Sequence, residues 1–267
     1  MTNAEMAWRI RRHSIEMAHV SSSSHIGAAL SIADIIAVLY NEVMRLFPQE
    51  PKNALRDRFI LSKGHASVAV YAALAEKGFF SVSELNTHCM NGSNLSGHVS
   101  HKVPGIEFST GSLGHGISVA AGMAMAAKKD SKDHHVFSLI GDGECDEGSV
   151  WETALFANHY RLSNLTTIVD HNKMQSIDTC EKTIELLNLN EKWRTFGWYV
   201  LEINGHDHEE IKHALNYRDE KKPLCVVAHT TKGKGISFME NKVIWHYRSP
   251  QGDDYINALS ELELLKP

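Results

Sequence analysis

The sequence predicts an α/β fold, a doubly wound parallel sheet with helices on both faces. Two observations carry this. Five short β-rich runs, at 59–61, 136–140, 165–169, 199–203 and 224–228, alternate with helical stretches near 65–77, 115–129, 149–161 and 208–218. The runs are also apolar almost throughout, as strands covered on both faces are. No repeat, linker or shift in composition marks a boundary, so 1–267 reads as a single domain.

The elements follow in order. Met6, Ile10, Met17 and Val20 share a helical stripe, so 4–20 is an amphipathic first helix. The serine-rich loop Ser21 to Ser24 leads into His25-Ile26-Gly27. Ser31 with Asp34 resembles a capping pattern and predicts a helix over 32–46 that stops before Pro48. Phe59–Leu61 is the first strand. Val136–Ile140 ends in Gly141-Asp142-Gly143 and passes into a helix with Trp151 and Leu155 on one face. Leu165–Val169 ends in Asp170-His171-Asn172. Tyr199–Ile203 and Leu224–Ala228 complete the sheet, and 251–267 reads as a closing helix.

Composition narrows the function. Lys and Arg number 27 and Asp and Glu 32, a net charge of −5 with no basic block, which speaks against a nucleic-acid or anionic-membrane surface. The longest apolar stretch, Gly116 to Ala127, falls short of the roughly 20 residues a membrane span needs. The N-terminus has arginines in an amphipathic pattern and does not read as a signal peptide. Cys89, Cys145, Cys180 and Cys225 form no CxxC pair and read as free thiols of a reducing cytoplasm. The 17 histidines are a reason to look for a site.

Several familiar signatures fail. Neither Gly111-Ser-Leu-Gly114-His-Gly116 nor Gly141-Asp-Gly143 has dinucleotide-loop spacing, and no GxxxxGK[ST] loop is present. His208 and His213 are about 140° apart around a helix and cannot share a metal. The pairs His98/His101 and His206/His208 lack further ligands for zinc.

The segment around Asp142 and Asn172 is stronger. Two consecutive parallel strands deliver a carboxylate and an amide oxygen to neighbouring loops, where such sheets bind ligands. These are donors that Mg²⁺ takes, completing its shell with a backbone carbonyl, water and phosphate oxygens. The glycines around Asp142 allow close approach of a phosphate, and the next helix offers its N-terminal amides.

GDG followed one strand–helix–strand unit later by Asn resembles the thiamine diphosphate fingerprint. Arg56-Asp-Arg-Phe-Ile-Leu-Ser-Lys-Gly-His65, Ser109-Thr-Gly-Ser-Leu-Gly-His-Gly116, Gly141-Asp-Gly-Glu144, Glu147-Gly148 and Lys232-Gly-Lys-Gly-Ile-Ser-Phe-Met239 resemble transketolases, above all the N-terminal subunit of two-chain forms. The likeness runs from about residue 5 to residue 250. It implies the diphosphate-binding domain of the thiamine diphosphate fold and transfer of a two-carbon ketol unit from a ketose to an aldose. It also implies roles for residues. Asp142, Asn172 and the carbonyl of Met174 would hold Mg²⁺, with Ca²⁺ as a substitute. His65, His246, Gly111, Leu113, Gly143 and Asn172 would contact the cofactor, and Ile177 would pack on its thiazolium. His25, His98 and His246 would hold the sugar and move protons. Glu147 reads equally as an interface residue and as a helix-start carboxylate. His13, His19, His134, His135 and His159 read as surface residues.

The sequence departs from the family pattern at Ile26, Val99, His115, Tyr247 and Arg248, around the implied sugar channel. This predicts a non-standard or acidic ketose, with Tyr247 and Arg248 reshaping the channel mouth. The family's pyrimidine-binding domain, with the glutamate that activates the cofactor, has no counterpart in the 267 residues. The resemblance therefore implies that a separate C-terminal partner chain carries it, in a heterotetramer of two copies of each chain. Two other readings stay open: a subunit of another thiamine diphosphate enzyme (2-oxoacid dehydrogenase E1 α-like or deoxyxylulose phosphate synthase-like), and an inactive regulatory subunit. The histidine set argues against the first. The intact Asp142 and Asn172 argue against the second.

Overall fold

The computed structural model describes all 267 residues. Helix α1 (Asn3–Ser21) begins where the Thr2 hydroxyl accepts from the Glu5 N–H at 3.1 Å. Two short helices follow, α2 (Ile26–Ser31) and α3 (Ala33–Val38), the second running into a π-turn over Leu39–Val43. Strand β1 (Arg58–Leu61) leads through a short turn into α4 (Ser67–Glu76). Next come α5 (Gly116–Lys129), β2 (Val136–Gly141), α6 (Gly148–His159) and β3 (Leu165–His171). Short α7 (Cys180–Thr183) and α8 (Leu189–Thr195) precede β4 (Tyr199–Asn204), α9 (His208–Asn216) and β5 (Leu224–His229). Helix α10 (Asp253–Leu264) closes the chain.

All strand pairings are parallel, in the order β1-β2-β3-β5-β4. Alternate residues of each strand feed two cores. Phe59, Leu61, Phe137, Leu139, Ile168 and Val226 pack under α1, α3, α4 and α9. Ile60, Val136, Ile140, Val169, Cys225 and Val227 pack under α5, α6 and α8. The sheet is thus doubly wound, with helices on both faces covering alternate residues of its strands. A third cluster joins α1, α2 and α10 through Ile15, Ile26, Trp245 and Leu262. No helix is long and apolar enough to cross a membrane.

Three expectations need correction. The helix expected over 32–46 begins earlier, at Ile26, and breaks at Ile32. Ser31 and Asp34 do not cap it. The Ser31 hydroxyl donates to Asp170 at 2.7 Å, and Asp34 pairs with Arg11. His135 is no surface residue: it is buried, bonds the Thr166 hydroxyl at 2.8 Å, and burial holds it well below its ordinary pKa.

Candidate functional site

The carboxyl ends of the central strands open on a cavity of about 260 Å³. Gly141 lies in register with Asp170, so Asp142 and Asn172 leave adjacent strand ends. Asp142 is buried; its Oδ1 accepts from the Gly143 N–H at 2.8 Å and its Oδ2 from the Lys173 N–H at 2.5 Å. Burial, then the neighbouring Asp170, push its pKa up to about 6. A carboxylate under that pressure is stabilised by a cation. Asn172 donates through Nδ2 to Asp170 at 2.7 Å, and its Oδ1 accepts from the Met174 N–H at 3.1 Å. Asp142, Asn172 and the Met174 carbonyl supply hard oxygens from two adjacent loops. No group of three His, Cys, Asp or Glu side chains could hold a metal. A cation here would rest on neutral oxygens, and on a bound anion, besides Asp142.

Asp170 ties this floor together. It is fully buried and accepts from Lys63 Nζ at 2.5 Å, from Asn172, and from the Ser31 and Thr230 hydroxyls. Burial opposes its charge, but Lys63 and these donors hold its pKa below the ordinary value. Lys232 is a different case. Its ammonium donates to the carbonyls of Met174 and Gln175, each at 3.1 Å, and to His246 Nδ1 at 3.2 Å. All three acceptors are neutral. Burial, then the charge of Lys63, lower its pKa to about 8. A buried ammonium that bonds no carboxylate, on the floor of a cavity, fits an anionic ligand.

Four imidazoles complete the wall. Ring centroids are 4.9 Å apart for His25–His246, 5.1 Å for His25–His65, 5.6 Å for His65–His246 and 5.8 Å for His25–His98. Burial and the adjacent His98 lower His25 to about 4; burial and Lys232 lower His246 to about 3. Burial lowers His98, and burial with Lys63 takes His65 well below its ordinary value. All four rings are neutral near pH 7, each with one donor and one acceptor nitrogen. Because Lys232 donates to Nδ1 of His246, that ring's proton lies on Nε2. His25 stands at φ +72°, and its N–H donates to the His246 carbonyl at 2.8 Å, joining their loops. Glycine is required at 64, where a Cβ would come within 2.5 Å of the Thr110 carbonyl.

Of the predicted site residues, His25, His65, His98, Gly111, Leu113, Asp142, Gly143, Asn172, Met174 and His246 line this one cavity. Ile177 does not. The turn closed by the Met174–Thr179 bridge carries it outward, where it is 71% exposed. Nor do the departures from the family pattern line it. Ile26 and Val99 are core residues, and His115 is exposed at the start of α5. Tyr247 is exposed beside His246. Arg248 is held by Asp254 at 2.7 Å and lies over the Trp245 ring. Glu147 is exposed and makes no side-chain cap bond to α6. His206 and His208 direct their rings at Asp34.

Sequence reasoning missed Lys63, Lys232, Asp170 and Glu144. Glu144 is buried and accepts from the Ser62 hydroxyl and the Gly114 and Gly141 amides, joining three loops of the site. Two of the four were signalled: Lys63 stands beside His65, and Lys232 opens a Lys-Gly-Lys-Gly run.

A doubly wound sheet whose strand ends gather hard oxygens, a buried ammonium and neutral imidazoles defines a domain that binds a phosphorylated cofactor. Residues 2–263 match the family described as "Transketolase, thiamine diphosphate binding domain", and the chain belongs to that family. It is 44% identical over 254 residues to a subunit of the apulose-4-phosphate transketolase of Phocaeicola vulgatus, covering 94% of this chain and 90% of that one. It is 40% identical to the 6-deoxy-6-sulfo-D-fructose transketolase subunit SqwG of a Clostridium species, covering 95% and 94%. The solved transketolase of Campylobacter jejuni superposes with a TM-score of 0.92 at 33% identity, over 98% of this chain and 42% of that one. The chain thus spans less than half of that transketolase. These likenesses favour a transketolase subunit over the 2-oxoacid dehydrogenase, synthase and regulatory alternatives.

Proposed function

We propose that this chain binds the diphosphate end of thiamine diphosphate with a divalent cation, as one subunit of a two-chain ketol transferase. The observation that carries the reading is the single cavity joining Asp142, Asn172, Lys232 and four neutral histidines. Asp142, Asn172 and the Met174 carbonyl would hold Mg²⁺, with Ca²⁺ able to replace it. Lys232, His65 and the Gly143 amide would meet the diphosphate, and Gly111 and Leu113 would line the path toward the pyrimidine. When bound, the cofactor supplies the nucleophilic carbon that attacks a ketose carbonyl and accepts its two-carbon unit. His25, His98 and His246 would bind the sugar hydroxyls. Being neutral, His25 and His98 can accept a proton as the C2–C3 bond breaks and return it when the acceptor aldehyde is joined, while His246, whose Nδ1 is taken by Lys232, can donate through Nε2.

The pyrimidine-binding domain is assigned to a second chain, in a heterotetramer. The relatives named as subunits, which this chain matches over nearly their whole length, support that reading. Their named sugars carry a phosphate or a sulfo group, which supports a ketose with an anionic end as donor. The anion would be read chiefly by the partner, since Arg248 is already engaged with Asp254. The test is co-purification with a pyrimidine-domain chain, then a donor–acceptor panel with added cofactor and Mg²⁺. Ketose cleavage that requires both chains is the expected result. Pyruvate turnover without ketose cleavage would overturn it.

A further inference from the structure

Lys232 reaches the cavity from the loop after β5, and that loop is gripped from behind. Asp34, on α3, is 6% exposed and lies outside the cavity. It accepts from both terminal nitrogens of Arg11, at 3.1 and 2.5 Å, from His206 Nδ1 at 2.7 Å and from His208 Nε2 at 3.0 Å. The other nitrogen of His206 accepts from the Thr231 N–H at 2.9 Å. That donor settles the tautomer: Nε2 is bare, so Nδ1 carries the proton given to Asp34. Arg11 also donates, through Nε, to the Lys234 carbonyl at 3.1 Å. One carboxylate thus controls the backbone on both sides of Lys232, through an imidazole before it and a guanidinium after it. Between these tethers the Gly233 N–H donates to the Gly27 carbonyl at 3.0 Å. A Cβ at Gly27 would come within 3.3 Å of Lys232 Cγ, so the lysine stem has little room to shift.

Burial opposes the charge of Asp34, but Arg11 with the two histidines holds its pKa well below the ordinary value. A buried ionic cluster contributes little net stability against apolar packing of the same volume. What it supplies here is fixed geometry at a loop that carries a functional lysine. We propose that Asp34, with Arg11 and His206, is a positioning residue that fixes Thr231–Lys234 so that the Lys232 ammonium meets the cofactor diphosphate. The inference rests on the assignment of Lys232 to that diphosphate made above.

The test separates the loop tether from the cluster's general contribution to stability. Thiamine diphosphate with Mg²⁺ is titrated calorimetrically into the chain, or its variants, in complex with the pyrimidine-domain chain. Backbone hydrogen exchange is followed over Thr231–Lys234. His206→Ala should weaken cofactor binding about tenfold, the scale for an outer-shell partner, and speed exchange in the loop. His206→Gln can accept from Thr231 and donate to Asp34, and should recover most of the loss. His208→Ala removes a bond to the same carboxylate but none to the loop, and should leave affinity within about twofold. Arg11→Lys keeps the charge beside Asp34 but gives up the Nε bond to the Lys234 carbonyl; it should weaken binding to a similar degree, and it replaces His206→Ala if that variant does not fold. Equal losses in the His206 and His208 variants would overturn the proposal, as would unchanged affinity and exchange in His206→Ala. Cofactor affinity unchanged in Lys232→Ala would instead remove the assignment of Lys232 and this inference with it.

Discussion

The floor and the wall of the cavity are built differently. On the floor every functional group is held by the chain itself. Asp142 accepts two backbone amides, Asn172 is oriented by Asp170, and Lys232 donates three bonds. On the wall the four imidazoles pack against one another, and no carboxylate of this chain pairs with any of them. Pre-organisation is concentrated where the proposed diphosphate and cation would sit. The wall is left with neutral rings that no carboxylate pairs with, where on the proposed reading the sugar hydroxyls would bind.

That contrast predicts that floor substitutions act on binding and wall substitutions on turnover. Asp142→Ala should give the largest effect, lowering Mg²⁺-dependent cofactor affinity by more than the roughly 100-fold upper range for an outer-shell partner. Calorimetry with and without Mg²⁺ reads it, and a small change would mean the cation is held elsewhere. Asp170→Asn strikes the floor's scaffold and leaves Lys63 buried without its partner. It should cost about 3–5 kcal/mol of stability, measurable by denaturant unfolding. A drop under about 1 kcal/mol, typical of a surface pair, would show the hub to be dispensable.

His98→Asn tests the wall. It should lower kcat by roughly 100-fold or more, within the range for a lost proton-transfer group, while cofactor affinity changes less than about threefold. Equal losses in both would place His98 on the floor and break the distinction.

The same contrast explains what could be read from the sequence. The strands were legible to within two residues because short β-rich runs alternate with helical stretches, as the strands of a parallel sheet do. Asp142 and Asn172 were legible as neighbours because they follow the ends of two consecutive strands, and the four histidines came with the family motifs the sequence resembles; all of them line one cavity. Asp170 and Glu144 were not, since each works by collecting bonds from loops far apart in the chain. Glu144 reaches Ser62 and Gly114; Asp170 reaches Ser31, Lys63 and Thr230. Asp34 misled for the same reason. Its place after Ser31 suggested a cap, while its partners are Arg11, His206 and His208.

The smallest effect is also the most direct reading of the wall's electrostatics. His25 and His246 have folded-state pKa values of about 4 and about 3, below the roughly 6.5 of an unfolded imidazole. Between those values the unfolded chain binds the extra protons, so these two groups make stability fall as pH drops from about 6.5 toward 4. Asp142 has the opposite sign: raised to about 6, it takes up its proton in the folded state first, and so favours the folded chain as pH falls through that window. Two imidazoles outweigh one carboxylate, and His65 and His98 shift in the imidazoles' direction. The cofactor-free chain should therefore lose stability on acidification below pH 6.5. His25→Asn and His246→Asn should each flatten that slope without moving the unfolding midpoint at pH 8 by more than a few degrees. Thermal melts across the pH range measure this directly. A slope unchanged in both variants would mean that the rings are solvated enough to titrate normally, and that the wall is as open to protons as bulk water.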